Sequence, residues 1–360
     1  MEVASNKSGR HGGTIKVLLV DDSMVALTLL RRMLSTSPDI EVIGMAQSGE
    51  EALRMIPALD PAVVLTDLHM PGMGGLEFTR QVIEKYPRPI LVVSVSVEKN
   101  SHNAFELLQA GAIDVFTKPR ASLESEYMHM SGELVSKVKI LAGVHVIRKM
   151  GIAGKGYGAP GDNINSKGVI RAVAIGASTG GPQALYSILS QLPHGFPMPV
   201  ICVQHITEGF MEGLVEWLQS NSQIKISVAG NGDYPFPGHA YFAQEGAHLL
   251  IDKAGLFRYA QTPPYLGHRP SINLAFKSVA ERYASAAMGI LLTGMGDDGA
   301  EGMKAIESAG GMTIAQDEAT SVVHSMPRSA IDRGAARYVL PLDQIADVII
   351  SMVPRVERER

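Results

Sequence analysis

The feature that most constrains this chain is a repeated alternation. Short aliphatic and β-branched runs, each ending at a polar or glycine-rich turn, are followed by amphipathic segments. The first series contains Lys16–Val20, Glu41–Gly44, Ala62–Thr66, Pro89–Val93 and Ile113–Phe116. The second contains Val169–Ile175, Pro199–Val203, Lys225–Val228, Ala287–Leu292, Met312–Ala315 and Arg337–Leu340. Strands that are apolar almost throughout are covered on both faces. Alternated with helices, they imply parallel sheets with right-handed crossovers. The fold class expected is α/β, with two doubly wound parallel-sheet domains. A β-rich patch over His239–Ala260 breaks the second series and is expected to be a β-hairpin insertion.

The segment between the two series sets the domain limits. Leu134, Val135, Val138 and Leu141 recur at helical spacing, and the following stretch is dense in Gly, Pro and Asn. The organisation expected is a disordered tail over 1–14, a first domain over 15–133, a helical and flexible linker over 134–168, and a second domain over 169–354. With 360 residues, each domain can bury its own core. A net charge of −4 with no basic stripe argues against a nucleic-acid partner. No apolar run approaches the roughly 20 residues of a membrane-spanning helix, so no membrane insertion is expected. The single cysteine, Cys202, lies in an apolar run and fits a reducing, cytoplasmic compartment. A monomer is expected.

The first domain gathers polar residues where its strands end. Asp21 and Asp22 follow the first strand, Asp67 the third, Ser94 the fourth and Lys118 the fifth. A parallel sheet brings these strand ends to one edge. Each alone reads as a helix cap or a loop residue. Together, the three carboxylates need a cation, and oxygen ligands of this kind suit Mg²⁺. A carboxylate held by a metal and a lysine can act as a nucleophile toward a phosphoryl donor. Lys118 and Ser94 would then contact the phosphoryl oxygens.

The stretches "VLLVDDS", "VLTDLHMPGMGGLEF" and "GAIDVFTKP" closely resemble the receiver domain of two-component response regulators. The resemblance implies a flavodoxin-like sheet, Asp67 as phosphoacceptor, and Mg²⁺ held by Asp22, Asp21, Asp67 and the backbone carbonyl of His69. It also implies Ser94 and Lys118 as the phosphate-switch pair and a cognate histidine kinase, of the CheA type, as phosphodonor. A phosphoryl group adds nearly two negative charges and three acceptor oxygens, and its readout lies in whatever docks on that face.

In the second domain the stretch "AIGASTGGPQ" places Ser178 between glycines, after a strand and before a helix. Three roles suit it: a nucleophile on a strand-to-helix turn, a hydroxyl in a phosphate-binding loop, or a helix cap. A serine nucleophile needs a base and a group that orients the base. His205 stands at a strand end and is the favoured base by position; His239, His248, His268 and His324 compete with it. Asp297 and Asp298 both follow a later strand, as orienting acids or as helix caps.

The stretches "AIGASTGGPQAL", "VQHI", "GHRPSIN", "LLTGMGDDGAEGM" and "AQDEATSVVHSMPRSAI" strongly resemble the catalytic domain of the chemotaxis protein-glutamate methylesterases, the CheB family. The resemblance implies a Rossmann-like domain with Ser178 as nucleophile, His205 as base and Asp298 as orienting acid. Thr179 and Met295 would form the oxyanion hole, and His268, Arg269, Met326 and Pro327 would line the cleft. The implied chemistry is hydrolysis of glutamate methyl esters on methyl-accepting chemotaxis receptors, and deamidation of receptor glutamines, with no cofactor for either step. Phosphorylation at Asp67 would relieve inhibition by the first domain. The glycines around Ser178 read as clearance for a receptor helix.

This chain departs from the family pattern in two loops and at one residue. "YFAQEGAHLL" stands where relatives read Ala-Pro-Gly-Asp-x-His, and "HITEGF" lacks the usual proline. Asn273 stands where an aspartate is common. A DNA-binding response regulator and a non-catalytic phosphate or nucleotide binder are the competing readings.

Overall fold

The computed structural model describes residues 13–94, 101–118, 124–144 and 169–352, with the side chains of 101–103 and 124–126 excepted. The expected tail lies largely outside the described residues, as does the Gly/Pro/Asn-rich linker through 168. The two sheets are taken in turn.

The first sheet is built by β1 (Ile15–Val20), α1 (Met24–Leu34), β2 (Ile40–Ala46), α2 (Gly49–Leu59), β3 (Val63–Asp67), α3 (Gly75–Lys85), β4 (Ile90–Ser94), α4 (Ser101–Ala110), β5 (Asp114–Thr117) and α5 (Glu124–Leu141). Its strand order is β2-β1-β3-β4-β5, the flavodoxin-like doubly wound order. Every residue of β3 and β4 is buried, which is why both read as unbroken apolar runs. Ser23 caps α1 and Ser48 caps α2, each hydroxyl accepting a backbone N–H of the first turn. The expected limit between 133 and 134 falls inside α5, which is continuous. Its Leu134, Val138 and Leu141 are buried, and Lys139 pairs with Asp39 at 2.5 Å. The first domain therefore extends through Leu141.

The second sheet is built by β6 (Ala172–Ala177), α6 (Gly181–Leu189), β7 (Val200–Gln204), α7 (Met211–Ser220), β8 (Lys225–Val228), β9 (His239–Phe242), β10 (His248–Ile251), β11 (Phe257–Ala260), α8 (Ile272–Tyr283), β12 (Ala287–Leu291), α9 (Ala300–Ser308), β13 (Met312–Gln316), α10 (Ser325–Asp332), β14 (Tyr338–Leu340) and α11 (Leu342–Ser351). Seven parallel strands run in the order β14-β13-β12-β6-β7-β9-β8. Chain order reverses between β6 and β12, which makes the crevice between their carboxyl ends the expected ligand site of such a sheet.

The patch His239–Ala260 is only partly the expected hairpin. β9 enters the main sheet as a parallel strand between β7 and β8, and only β10 and β11 form an antiparallel pair. Ala240, Tyr241 and Phe242 are all buried, so β9 needs cover on both faces, which a surface hairpin does not supply. The strand expected from Val169 begins at Ala172, because Val169 is 62% exposed. Cys202 is fully buried in β7, and burial pushes its thiol well above the ordinary range, so it is packing rather than a nucleophile.

Candidate active site and acidic cluster

Ser178, His205 and Asp298 come from three strand ends. Ser178 follows β6, His205 follows the adjacent β7, and Asp298 lies in the loop after β12, on the other side of β6. The backbone N–H of His205 donates to the carbonyl of Ala177 at 3.0 Å, which fixes the two strand ends together. Gln204 adds a clamp: its amide donates to the carbonyls of both Ser178 (2.9 Å) and His205 (2.6 Å). Gln204 is buried, and only its amide nitrogen can satisfy two carbonyl oxygens.

His205 Nε2 lies 3.0 Å from Asp298 Oδ2. Asp298 is fully buried and accepts three further hydrogen bonds: Oδ1 from Ser271 Oγ (2.9 Å) and the Asn273 N–H (2.9 Å), and Oδ2 from the Ile272 N–H (2.8 Å). These donors are the first turn of α8 and its N-cap, where the helix dipole also favours an anion. Burial pushes the Asp298 carboxyl up. The His205 hydrogen bond and charge, with the Asn273 and Ile272 N–H groups, outweigh it and hold the group below the ordinary carboxylate range. Asp298 is therefore ionised, and the His205 proton sits on Nε2. His205 Nδ1 is buried and has no hydrogen-bond partner among the described residues; with Nε2 turned to the acid, it is the ring atom that carries the lone pair in a neutral imidazole.

Of the two adjacent aspartates, Asp297 is exposed and pairs with Arg333 at 3.2 Å, whereas Asp298 is buried against His205. The four competing histidines fall in different places, His324 at the N-cap of α10 with its Nε2 buried and without a partner among the described residues. His239 bonds Ser227 (2.8 Å) on the outer strands, and His248 lies behind Asp298, bonded to Ser271 and Pro263. His268 stacks face to face on His205, with centroids 4.1 Å apart and planes at 4°. Burial, then the His205 charge, pushes the His268 imidazole below its ordinary range, so it stays neutral beside His205. Arg269 is exposed, its guanidinium near the Thr262 carbonyl at 3.5 Å, while Met326 is buried.

The loops around Ser178 approach as closely as glycine permits. A Cβ on Gly294 would lie 2.7 Å from the Ser178 Cβ and 2.3 Å from the Met326 sulfur. Gly294 thus lets its loop pack directly against the serine. The glycines on the serine's own loop serve internal packing, contrary to the expected clearance for a receptor helix. Gly180 (φ 77°) backs onto Val322, and a Cβ on Gly181 would meet Gln204 Oε1 at 2.0 Å. Thr179 is buried and its carbonyl accepts from Thr293 Oγ1 at 2.9 Å. Neither the Thr179 nor the Met295 N–H donates to another backbone group among the described residues.

The two divergent loops compensate each other, a coupling that sequence inspection missed. Glu245 accepts from the N–H groups of Gly209 (2.7 Å), Phe210 (3.1 Å) and Met211 (2.9 Å), pinning the loop that follows His205 to the start of α7. Asn273 is buried, and its Oδ1 accepts the Gly302 N–H at 2.8 Å, tying α8 to α9. An amide meets that donor as an aspartate would, without adding a second negative charge beside Asp298.

In the first sheet, Asp21, Asp22 and Asp67 place carboxylate oxygens within 4.8 Å of one another, with Asp21 and Asp67 buried and Asp22 exposed. Asp21 accepts the Ser23 N–H at 2.9 Å and Asp67 accepts the Leu68 N–H at 2.7 Å, which orients both. His69 follows two residues after Asp67 and its side chain is exposed. Ser94 is buried at the end of β4, and the Lys118 N–H donates to its carbonyl at 2.7 Å. Three clustered carboxylates with one open flank fit a hard divalent cation.

Residues 173–349 match the family model for CheB methylesterase, and residues 17–126 match that for the response regulator receiver domain. A protein-glutamate methylesterase/protein-glutamine glutaminase of Geobacter metallireducens is 40% identical over 94% of this chain and 99% of its own length. One from Syntrophus aciditrophicus is 41% identical over 95% of this chain and 99% of its own. The crystal structure of the Thermotoga maritima CheB methylesterase catalytic domain is 37% identical, covering 51% of this chain and 99% of that one, with a TM-score of 0.50.

Proposed function

The chain belongs to the CheB methylesterase family, with a response-regulator receiver domain ahead of the catalytic domain, and on that premise we propose a phosphorylation-controlled serine hydrolase. It removes methyl groups from glutamate esters of chemoreceptors and deamidates receptor glutamines, which gives adaptation in chemotaxis-type signalling. The observation that carries the reading is the His205–Asp298 hydrogen bond at 3.0 Å, made at strand ends adjoining that of Ser178, with His205 Nδ1 left without a partner among the described residues.

In the reaction, His205 Nδ1 takes the Ser178 proton as Oγ attacks the γ-carbonyl carbon of the methylated glutamate. The N–H groups of Met295 and Thr179 supply the oxyanion hole, where one donor is worth about 10²–10³ in rate. As the tetrahedral species collapses, the C–O bond to the methoxy group breaks and His205 returns the proton to methanol. Water then attacks the acyl-enzyme with His205 as base, freeing the glutamate carboxylate and restoring Ser178. With a glutamine side chain, ammonia leaves instead. Asp298 stabilises the imidazolium in every step, and neutral His268 covers its face.

In the receiver domain, Asp67 is the phosphoacceptor for a histidine kinase of the CheA type. Asp22, Asp21, Asp67 and the His69 carbonyl would hold Mg²⁺, which neutralises charge on the transferred phosphoryl oxygens when bound. Ser94 and Lys118 contact those oxygens. No described helix is long and apolar enough to cross a membrane. We place the protein in the cytoplasm as a monomer, acting on the cytoplasmic parts of receptors.

The test is methanol release from methylated receptor membranes, together with covalent labelling by a serine-directed phosphonate. Ser178→Ala abolishes both, and His205→Ala abolishes labelling while leaving Ser178 in place. Turnover by Ser178→Ala, or nucleotide-induced thermal stabilisation without labelling of the wild type, would overturn the reading.

A further inference from the structure

We propose that His248 is a positioning residue for the triad, acting on Asp298 through the first turn of α8. His248 opens β10 and is fully buried. Its Nδ1 accepts the Ser271 backbone N–H at 3.1 Å, and its Nε2 faces the Pro263 carbonyl at 3.1 Å. A carbonyl only accepts, so the proton is on Nε2. Nδ1 must then present a lone pair to Ser271, and the ring is neutral.

Ser271 is the N-cap of α8, and the residues that begin with it hold the acid. Ser271 Oγ, the Ile272 N–H and the Asn273 N–H all donate to Asp298, at 2.9, 2.8 and 2.9 Å. Among the described residues, these three consecutive residues and His205 are the hydrogen-bond partners of that carboxylate. Their shared orientation depends on where the Ser271 backbone is pinned, and the pin is His248. Without Nδ1 the Ser271 N–H becomes a buried donor with no acceptor. The turn then rotates to find one, carrying Asp298 off the His205 ring. His248 comes from the hairpin strand β10 rather than from α8, so the hairpin is part of the catalytic scaffold.

The inference rests on the triad reading above, so its test must separate the two. Two nearly isosteric substitutions do this in the full-length protein. In His248→Asn, the amide oxygen takes the place of Nδ1 and still accepts from Ser271. In His248→Gln, the amide nitrogen takes the place of Nε2, the Pro263 contact is kept and the Ser271 acceptor is lost. His248→Gln lowers kcat for methanol release from methylated receptor membranes about 10- to 100-fold, the scale of a sub-ångström misplacement, with KM within about twofold. It also shifts the low-field proton NMR resonance of the His205–Asp298 hydrogen bond. His248→Asn keeps kcat within about threefold and leaves that resonance in place. A purely structural role would affect both variants in proportion to their loss of thermal stability. Equal kcat in the two variants, or a wild-type resonance in His248→Gln, overturns the proposal. Should His248→Gln fail to fold, Ser271→Ala removes the hydroxyl at the far end of the same relay. It is expected to slow kcat and shift the resonance likewise, and a wild-type result for both overturns the proposal. Ser178→Ala is the control: if it still turns over, the triad reading fails whatever His248 does.

Discussion

Asp298→Asn isolates the charge of the acid from its shape. The carboxylate accepts two hydrogen bonds on each oxygen, and an amide has only one oxygen to offer. If the NH₂ replaces Oδ2, the Ile272 N–H loses its acceptor, and His205 must move its proton to Nδ1, where it cannot accept from Ser178. If the NH₂ replaces Oδ1, Ser271 Oγ can rotate to accept, but the Asn273 N–H is stranded. Either way one buried N–H is left unpaired, at a cost of about 1–3 kcal/mol in stability. Both orientations also remove the negative charge 3.0 Å from the imidazolium that forms as Ser178 attacks. At an effective dielectric constant of about 20, that interaction is roughly 5 kcal/mol, which corresponds to about a 10³–10⁴-fold fall in kcat. Asp297→Asn is the internal comparison. Asp297 is exposed and pairs with Arg333 at 3.2 Å, so its loss changes kcat by less than about threefold. The assay is methanol release at saturating receptor, with thermal unfolding to show both variants folded. A folded Asp298→Asn within about tenfold of wild type, or a larger loss in Asp297→Asn, would refute the assignment of the acid.

Three other consequences can be checked with the same preparations. Gly294→Ala places a Cβ 2.7 Å from the Ser178 Cβ and 2.3 Å from the Met326 sulfur; one side must move, and phosphonate labelling of Ser178 slows about tenfold or more while the fold survives. Glu245→Gln gives up a charge-assisted contact to three N–H groups, so the melting temperature drops and kcat falls, with the loss greatest at low salt. His268 and His239 are both held below the ordinary imidazole range, chiefly by burial, so the unfolded chain binds more protons than the folded one as pH falls through about 6.5. Stability therefore declines on acidification from pH 7 to 5, and His268→Gln flattens that slope in melts recorded across pH.

What could be read from the sequence follows from the physics of parallel sheets. Buried parallel strands announce themselves as apolar runs, and their carboxyl ends must converge. Ser178, His205 and the Asp297–Asp298 pair could therefore be drawn to one edge before any coordinates. Position alone did not separate the two aspartates, and the family resemblance favoured Asp298; the fold adds the physical reason, since Asp298 is buried against α8 while Asp297 meets Arg333. β9 was misassigned because a four-residue run such as "HAYF" has the same pattern in a hairpin and in a parallel strand. Gln204, Ser271 and Glu245 left almost no trace, since they bond the Ser178 carbonyl, the Asp298 carboxylate and the Gly209 N–H, 26 to 36 positions away. Gln204 alone carried a hint, as a polar residue ending the buried run "VICVQ". His248 was visible only as one histidine among five, and its place behind the acid emerges from the packing of β10 on α8.

Phosphorylation at the acidic cluster of the receiver domain is expected to control turnover at Ser178. The most direct measurement is methanol release from methylated receptor membranes, with and without a small-molecule phosphodonor and Mg²⁺, in the wild type and in Asp67→Asn. Phosphodonor is expected to raise the wild-type rate, while Asp67→Asn keeps the basal rate and is not raised further by phosphodonor. Equal stimulation of wild type and Asp67→Asn would contradict control through Asp67.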